Sequence, residues 1–231
     1  MKQLSVFLMS CLFSFGLVSA QDKDDRNMRS YQVADFNKIA IEGNYRVYLF
    51  QTSSPYLKIK APSDDMYDAI DVQSDGRSLK LSVRKNGFNL SKIELHIGFR
   101  ELEELHIAGG FKIKTDGYVE VRDLKILAEG GVNVDLKMKA QSIEVISNGG
   151  AIFDMAGVTE RFFVKVAGAG HVNAREMVAR EVTFRVEGVG FGSVHATELL
   201  DVKIEGVGKV TYNGDPEVKR IIEGLGKVVS D

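Results

Sequence analysis

Val182-Thr183-Phe184-Arg185-Val186-Glu187-Gly188-Val189-Gly190, followed by Val202-Lys203-Ile204-Glu205-Gly206-Val207-Gly208, decides the fold. In both segments apolar residues alternate with polar or charged ones until a Gly-x-Gly triplet. Alternation of period two, rich in β-branched residues, describes a strand with one buried and one wet face. The same glycine signal occurs seven times, at Gly109-Gly110, Gly130-Gly131, Gly149-Gly150, Gly168-Ala169-Gly170, Gly188-Val189-Gly190, Gly206-Val207-Gly208 and Gly224-Leu225-Gly226. Steps between the last glycines are 21, 19, 20, 20, 18 and 18 residues, and a period near twenty is the mark of a stacked repeat.

An alternating strand precedes each glycine, as in Ile143-Glu144-Val145-Ile146 and Phe162-Phe163-Val164-Lys165-Val166. A second short strand follows, as in Val132-Asn133-Val134-Asp135-Leu136. No helical period occurs in this region, which excludes helix-containing repeats. The pattern predicts an all-β fold: a parallel β-helix (β-solenoid) with coils of about twenty residues. Ile126, Val145, Val164, Phe184 and Ile204 are expected to be buried on successive coils. Stacked corners need positive φ and no Cβ in the way of the next coil. The expected turn glycines are Gly110, Gly131, Gly150, Gly168, Gly170, Gly188, Gly190, Gly206, Gly208, Gly224 and Gly226. Phosphate cradling does not fit: no dinucleotide fingerprint is completed, and neither Lys209 nor Lys227 is followed by Ser or Thr.

Residues 1–20 read as a secretory signal peptide: Lys2 supplies the charge, Leu4 to Val18 the apolar stretch, and Val18-Ser19-Ala20 the cleavage site ahead of Gln21. Residues 21–35 form a charged leader and 36–231 one domain. The stretch from Tyr31 to about Arg84 is read as the irregular first coils, with a helical turn after Pro62 capped by Ser63. Lys85 to Ser91 is read as a loop, and regular repeats are expected from near Ile93. The expected location is the periplasm, cell surface or medium.

Cys11, the only cysteine, lies within the expected signal peptide, so no disulfide or thiol chemistry is expected of the mature domain. Acids and bases interleave to a net charge of -2, with no basic stripe for nucleic acid and no transmembrane segment. Asp135 and Asp154 are the best carboxylate pair for a polysaccharide-active enzyme, but alternation on a wet face alone produces such pairs. Glu187, Glu205 and Glu223 should form an outer ladder offset by Lys203, Lys209 and Lys227. Calcium wants six or more oxygens, and His96, His106, His171 and His195 lack zinc spacing. No catalytic residue, metal site or cofactor is assigned.

Phe36-x-x-Ile39 with Gly43 and Val47, the Gly-x-Gly run, and Tyr212-Asn213-Gly214-Asp215-Pro216 before Glu223-Gly224-Leu225-Gly226 resemble the auto-transporter adhesin, head GIN domain family. The resemblance implies a bacterial envelope or secreted single-stranded β-helix without established enzymatic activity. Here Val or Leu stands at the middle of the late triplets, where that family often has Ser or Ala, and Phe191-Gly192 has the aspect of a two-residue insertion. The expected architecture is a single-stranded right-handed parallel β-helix. The expected function is a non-catalytic adhesin or structural module for a glycan or envelope protein, with a polysaccharide lyase or hydrolase as the alternative. The C-terminal edge at Lys227-Val228-Val229-Ser230-Asp231 is expected to be covered by another copy in a homo-oligomer, by the N-terminal segment of a neighbour, or by an envelope partner.

Overall fold

The computed structural model describes residues 28–84 and 90–231. The signal-peptide reading, with Ala20 and Gln21, and most of the Lys85–Ser91 loop therefore lie outside the described residues. The strands are β1 (Met28–Tyr31), β2 (Lys38–Gln51), β3 (Tyr56–Lys60), β4 (Ile70–Ser74), β5 (Ser78–Val83), β6 (Glu94–Phe99), β7 (Glu104–Glu120), β8 (Asp123–Ile204), β9 (Val207–Asn213), β10 (Glu217–Ile222) and β11 (Leu225–Ser230). The fold is all-β, with one sheet in the order β1-β3-β6-β2-β7-β8-β9-β11 and β10, β5 and β4 attached alongside.

Most of this sheet is parallel and pairs one glycine motif with the next. Gly109 opposes Gly130 and Gly110 opposes Gly131 in the β7–β8 ladder. Gly190 opposes Gly208, which in turn opposes Gly226. β8 is 82 residues of extended chain that would run about 270 Å if straight, so it must turn repeatedly. Gly130, Gly149, Gly168 and Gly188 have positive φ within it. A Cβ on Gly149 would lie 2.7 Å from the Gly130 carbonyl oxygen, and one on Gly188 would lie 2.3 Å from that of Gly168. The chain therefore stacks glycine backbone directly on glycine backbone.

Uneven spacing has a local cause. Lys114 pairs with Asp135, but Tyr118 pairs with Lys137, so a bulge takes up two residues of β7. Gly117 there has a φ of 76°, and Thr115 Oγ1 accepts a hydrogen bond from the Lys137 backbone N–H at 3.0 Å. The bulge accounts for the long first step of 21 residues. Phe191-Gly192 creates no such break, because Val189 to His195 pairs without a shift against Val207 to Asn213. Gly192 instead makes room for Phe184, whose ring would stand 2.6 Å from a Cβ at that position.

The expected core column is present: Ile126, Val145, Val164, Phe184 and Ile204 are all buried. The N-terminal segment differs from the expectation. β2 already belongs to the regular stack, with Gly43 opposite Gly109 and Ile41 opposite Ile107, so the regular pairing begins well before Ile93. A long excursion interrupts the stack after β2. In it β3 pairs antiparallel with β1 and β6, and β4 antiparallel with β5. The helical turn is Asp64–Tyr67 with Ser63 in extended conformation at its N-cap. The Ser63 side chain makes no capping hydrogen bond; its carbonyl accepts from the Met66 N–H at 3.2 Å.

Candidate functional site

Aligning the chain by its stacked glycines sorts the next residues into columns. The outward position after the corner glycine holds Asn44, Gly110, Gly131, Gly150, Ala169, Val189, Val207 and Leu225. The inward position beside it holds Tyr45, Phe111, Val132 and Ala151, and then Gly170, Gly190, Gly208 and Gly226. Side-chain bulk thus changes sides along the wall. Where the outer residue is glycine, the inner one is buried and larger; where the outer residue grows to Val or Leu, the inner one is glycine. In that second half the vacated interior is filled from the preceding strand. A Cβ on Gly170 would meet Val166 Cγ1 at 2.8 Å, and one on Gly190 would meet Val186 Cγ1 at 2.8 Å.

The outer surface follows from this exchange. A Cβ on Gly131 or Gly150 would meet nothing within 4 Å, while one on Gly110 would stand 3.3 Å from the Asn44 side chain at the end of the floor. A slot of about 790 Å³ lies over these three glycines. Val189 and Phe191 close one end at 45% and 46% exposure, and Ile152 projects beside the floor at 46%. Asn44 and Arg46 stand at the other end. These apolar groups sit at wet-face positions, where alternation calls for polar residues.

Charge is distributed along the slot in one direction. The second outward column runs Arg46, Lys112, Asn133, Ile152, His171, Phe191. Among the described residues no Asp or Glu lines the slot. Arg46 Nη1 is 3.6 Å from Glu94 Oε1 outside it, and Lys112 has no ion-pair partner among the described residues. Beneath this end Tyr45 is buried with its hydroxyl unpartnered, and burial, aided by Glu42, pushes that phenol up to about 12.

A second groove of about 900 Å³ is lined by Lys38, Glu104, Lys125, Glu144 and neighbours. Its charges answer one another: Lys38 Nζ lies 2.7 Å from Glu104 Oε2 and Lys125 Nζ 3.3 Å from Glu144 Oε1. Gln51 ties its rim by bonding both the carbonyl and the N–H of Glu120.

The singled-out glycines fall into three groups. Gly110, Gly131 and Gly150 form the slot floor and lack positive φ; the first glycine of each doublet, Gly109, Gly130 or Gly149, carries it. Gly168, Gly188 and Gly206 have positive φ in the same column. Gly170, Gly190, Gly208 and Gly226 face inward without positive φ, and a Cβ on Gly224 would lie 2.2 Å from the Gly206 oxygen. Sequence reasoning merged these positions because each reads only as Gly.

The acidic candidates are engaged elsewhere. Asp154 Oδ1 accepts from Asn173 Nδ2 at 3.0 Å, and Asp135 stands opposite Lys114. Lys165 pairs with Glu187 at 2.8 Å, and Lys203 reaches Glu205 at 2.7 Å and Glu223 at 3.8 Å. The Lys203 hydrogen bond holds the Glu205 carboxyl below its ordinary range. His96 stacks on Tyr48 at 4.8 Å, and burial lowers its pKa. Among the described residues no three His, Cys, Asp or Glu side chains gather into a metal-binding group, and no helix is long and apolar enough to cross a membrane.

Three solved structures are similar. A "putative adhesin" from Bacteroides fragilis is 26% identical with a TM-score of 0.82, over 88% of this chain and 96% of that one. A "putative lipid binding protein" from Parabacteroides distasonis is 25% identical with a TM-score of 0.69, over 88% and 96%. A "putative adhesin" from Parabacteroides merdae, at 18% identity and a TM-score of 0.57 over 88% and 95%, shares the fold. No curated protein matches the chain. Residues 35–216 match the family described as "Putative auto-transporter adhesin, head GIN domain", and the chain belongs to that family.

Proposed function

We propose that this chain is a non-catalytic binding module of the bacterial envelope, exported by residues 1–20 with cleavage between Ala20 and Gln21. Residues 36–231 wind as a single-stranded right-handed parallel β-helix, a reading supported by the parallel register and the glycine column. The winding holds open the slot over Gly110, Gly131 and Gly150, where an extended ligand lies. The observation that carries this reading is the bare outer wall, backed inside by Phe111, Val132 and Ala151. The family name supports a binding role, and the name of the Parabacteroides distasonis neighbour supports an apolar ligand. A glycan or an envelope protein is the other ligand class compatible with an adhesin.

The test is retention of the purified protein on bacterial envelope fractions. Gly131→Leu adds a Cβ that would meet nothing within 4 Å, so the fold is expected to accept it while the side chain occupies the slot. Loss of retention at an unchanged melting temperature is expected; full retention by this variant contradicts the reading.

A second reading, association through the β10–β11 edge, is favoured by Ile221, Ile222, Leu225 and Val229, exposed at 53%, 37%, 76% and 38%. Unpaired edges beside apolar side chains invite strand pairing. Sedimentation at several concentrations checks it: Leu225→Lys should lower the apparent mass, and a concentration-independent monomer contradicts it.

A further inference from the structure

We infer that the slot takes a long-chain fatty acid, its acyl chain lying along the glycine floor and its carboxylate at Arg46 and Lys112. The inference rests on the slot being the binding site, as proposed above, and adds the ligand's chemistry. Three features of the lining carry it.

Length is the first. From Asn44 to Val189 the outer column crosses five strand spacings, about 24 Å at roughly 4.8 Å each. One acyl chain spans half of a hydrocarbon core about 30 Å thick, or ~15 Å, so one chain and its head group fit end to end.

Polarity is the second feature. Around Gly131 and Gly150 the neighbouring groups are Val132, Ala151, Ile152, Val189 and Phe191, with Asn133 and His171 alternating beside them. Their apolar surface, left in water at Ile152, Val189 and Phe191, is covered when a hydrocarbon chain lies on it. Over Ile152, Val189 and Phe191 a sugar would instead present hydroxyls to side chains that cannot hydrogen-bond them, at a cost for each one desolvated.

Charge is the third. The chain carries 32 Asp and Glu residues, yet among the described residues none lines the slot, whereas two cations stand in register at one end, Arg46 opposite Lys112. Cations at one end of an apolar track, Lys112 without an ion-pair partner among the described residues and Arg46 shared with Glu94 at 3.6 Å, select an anionic head on an apolar tail. The apolar end, at Val189 and Phe191, has no such cation pair.

The experiment uses the full chain after delipidation and follows displacement of a fluorescent fatty acid by palmitate, by hexadecanol and by phosphatidylglycerol vesicles. Palmitate should displace the probe at one equivalent. Arg46→Gln combined with Lys112→Gln should weaken palmitate about ten-fold or more and leave hexadecanol little changed. Gly131→Leu should abolish displacement by both at an unchanged melting temperature. Failure of palmitate to displace, equal palmitate affinity after removal of both cations, or displacement by vesicles alone would overturn the inference. If Gly131→Leu still removes retention on envelope fractions while palmitate never binds, only the ligand assignment falls. If neither responds, the slot falls with it.

Discussion

Gly109 and Gly43 lie in direct backbone contact: a Cβ on Gly109 would sit 2.0 Å from the Gly43 carbonyl oxygen, and the two oppose each other in the β2–β7 ladder. Tyr45 lies over the other side of Gly43, its Cε2 2.6 Å from where a Cβ on that glycine would be. The glycine column therefore begins at Gly43 and is capped by an aromatic ring. The cap also places the buried Tyr45 beneath the cationic end of the slot.

The column predicts opposite outcomes for adjacent glycines. Gly149→Ala combines a φ of +138° with a contact 2.7 Å from the Gly130 oxygen, and should destabilise by about 1–3 kcal/mol or more. Gly150→Ala meets open space and should be neutral or gain a few tenths of a kcal/mol, since it reduces the freedom of the unfolded chain. Urea denaturation of the two variants checks the difference.

Phe184 and Gly192 should be energetically coupled. Gly192→Ala puts a methyl 2.6 Å from the Phe184 ring, while Phe184→Leu frees that space. Crowding of a packed core typically costs about 1–3 kcal/mol. A double-mutant cycle should show Gly192→Ala costing less in the Phe184→Leu background than in the parent. Additive costs would indicate that the two do not share this space.

Arg185 and Asp201 supply a pH-dependent contribution. The guanidinium meets both carboxylate oxygens, at 3.0 and 2.6 Å, and this hydrogen bonding holds the Asp201 carboxyl below its usual range. Because the folded pKa is depressed, the contribution is fully present above the unfolded value near 4 and fades as pH falls through the folded value. Asp201→Asn should cost about 1 kcal/mol or less at pH 7. That difference should vanish in acid, as read from denaturation midpoints across pH.

The interior was legible in the sequence because period-two alternation assigns a face to every residue: Ile126, Val145, Val164, Phe184 and Ile204 follow directly from it. Gly43 stood out only through the family resemblance and not as a member of the column, because it stands alone before Asn44 and because the excursion between β2 and β7 hides a step of 66 residues to Gly109. The wet-face Ile152 and Phe191 were visible as breaks in the alternation. Their significance required register, since only stacked glycines bring both residues to the same bare wall. A glycine that turns the chain, one that admits a core side chain and one that leaves a floor open are identical as letters and distinct in φ and neighbours.

The central claim, that ligand lies on the glycine-floored slot, is tested most directly by an environment-sensitive fluorophore on Ile152→Cys. Tyr118→Cys, at a site 66% exposed in the parent and outside the slot lining, is the control. Cys11, the chain's one native cysteine, lies in the expected signal peptide and is replaced by Ser in both variants. On addition of solubilised envelope extract, a blue shift at position 152 with no change at position 118 is predicted. Equal responses at both positions, or none at 152, would contradict the account.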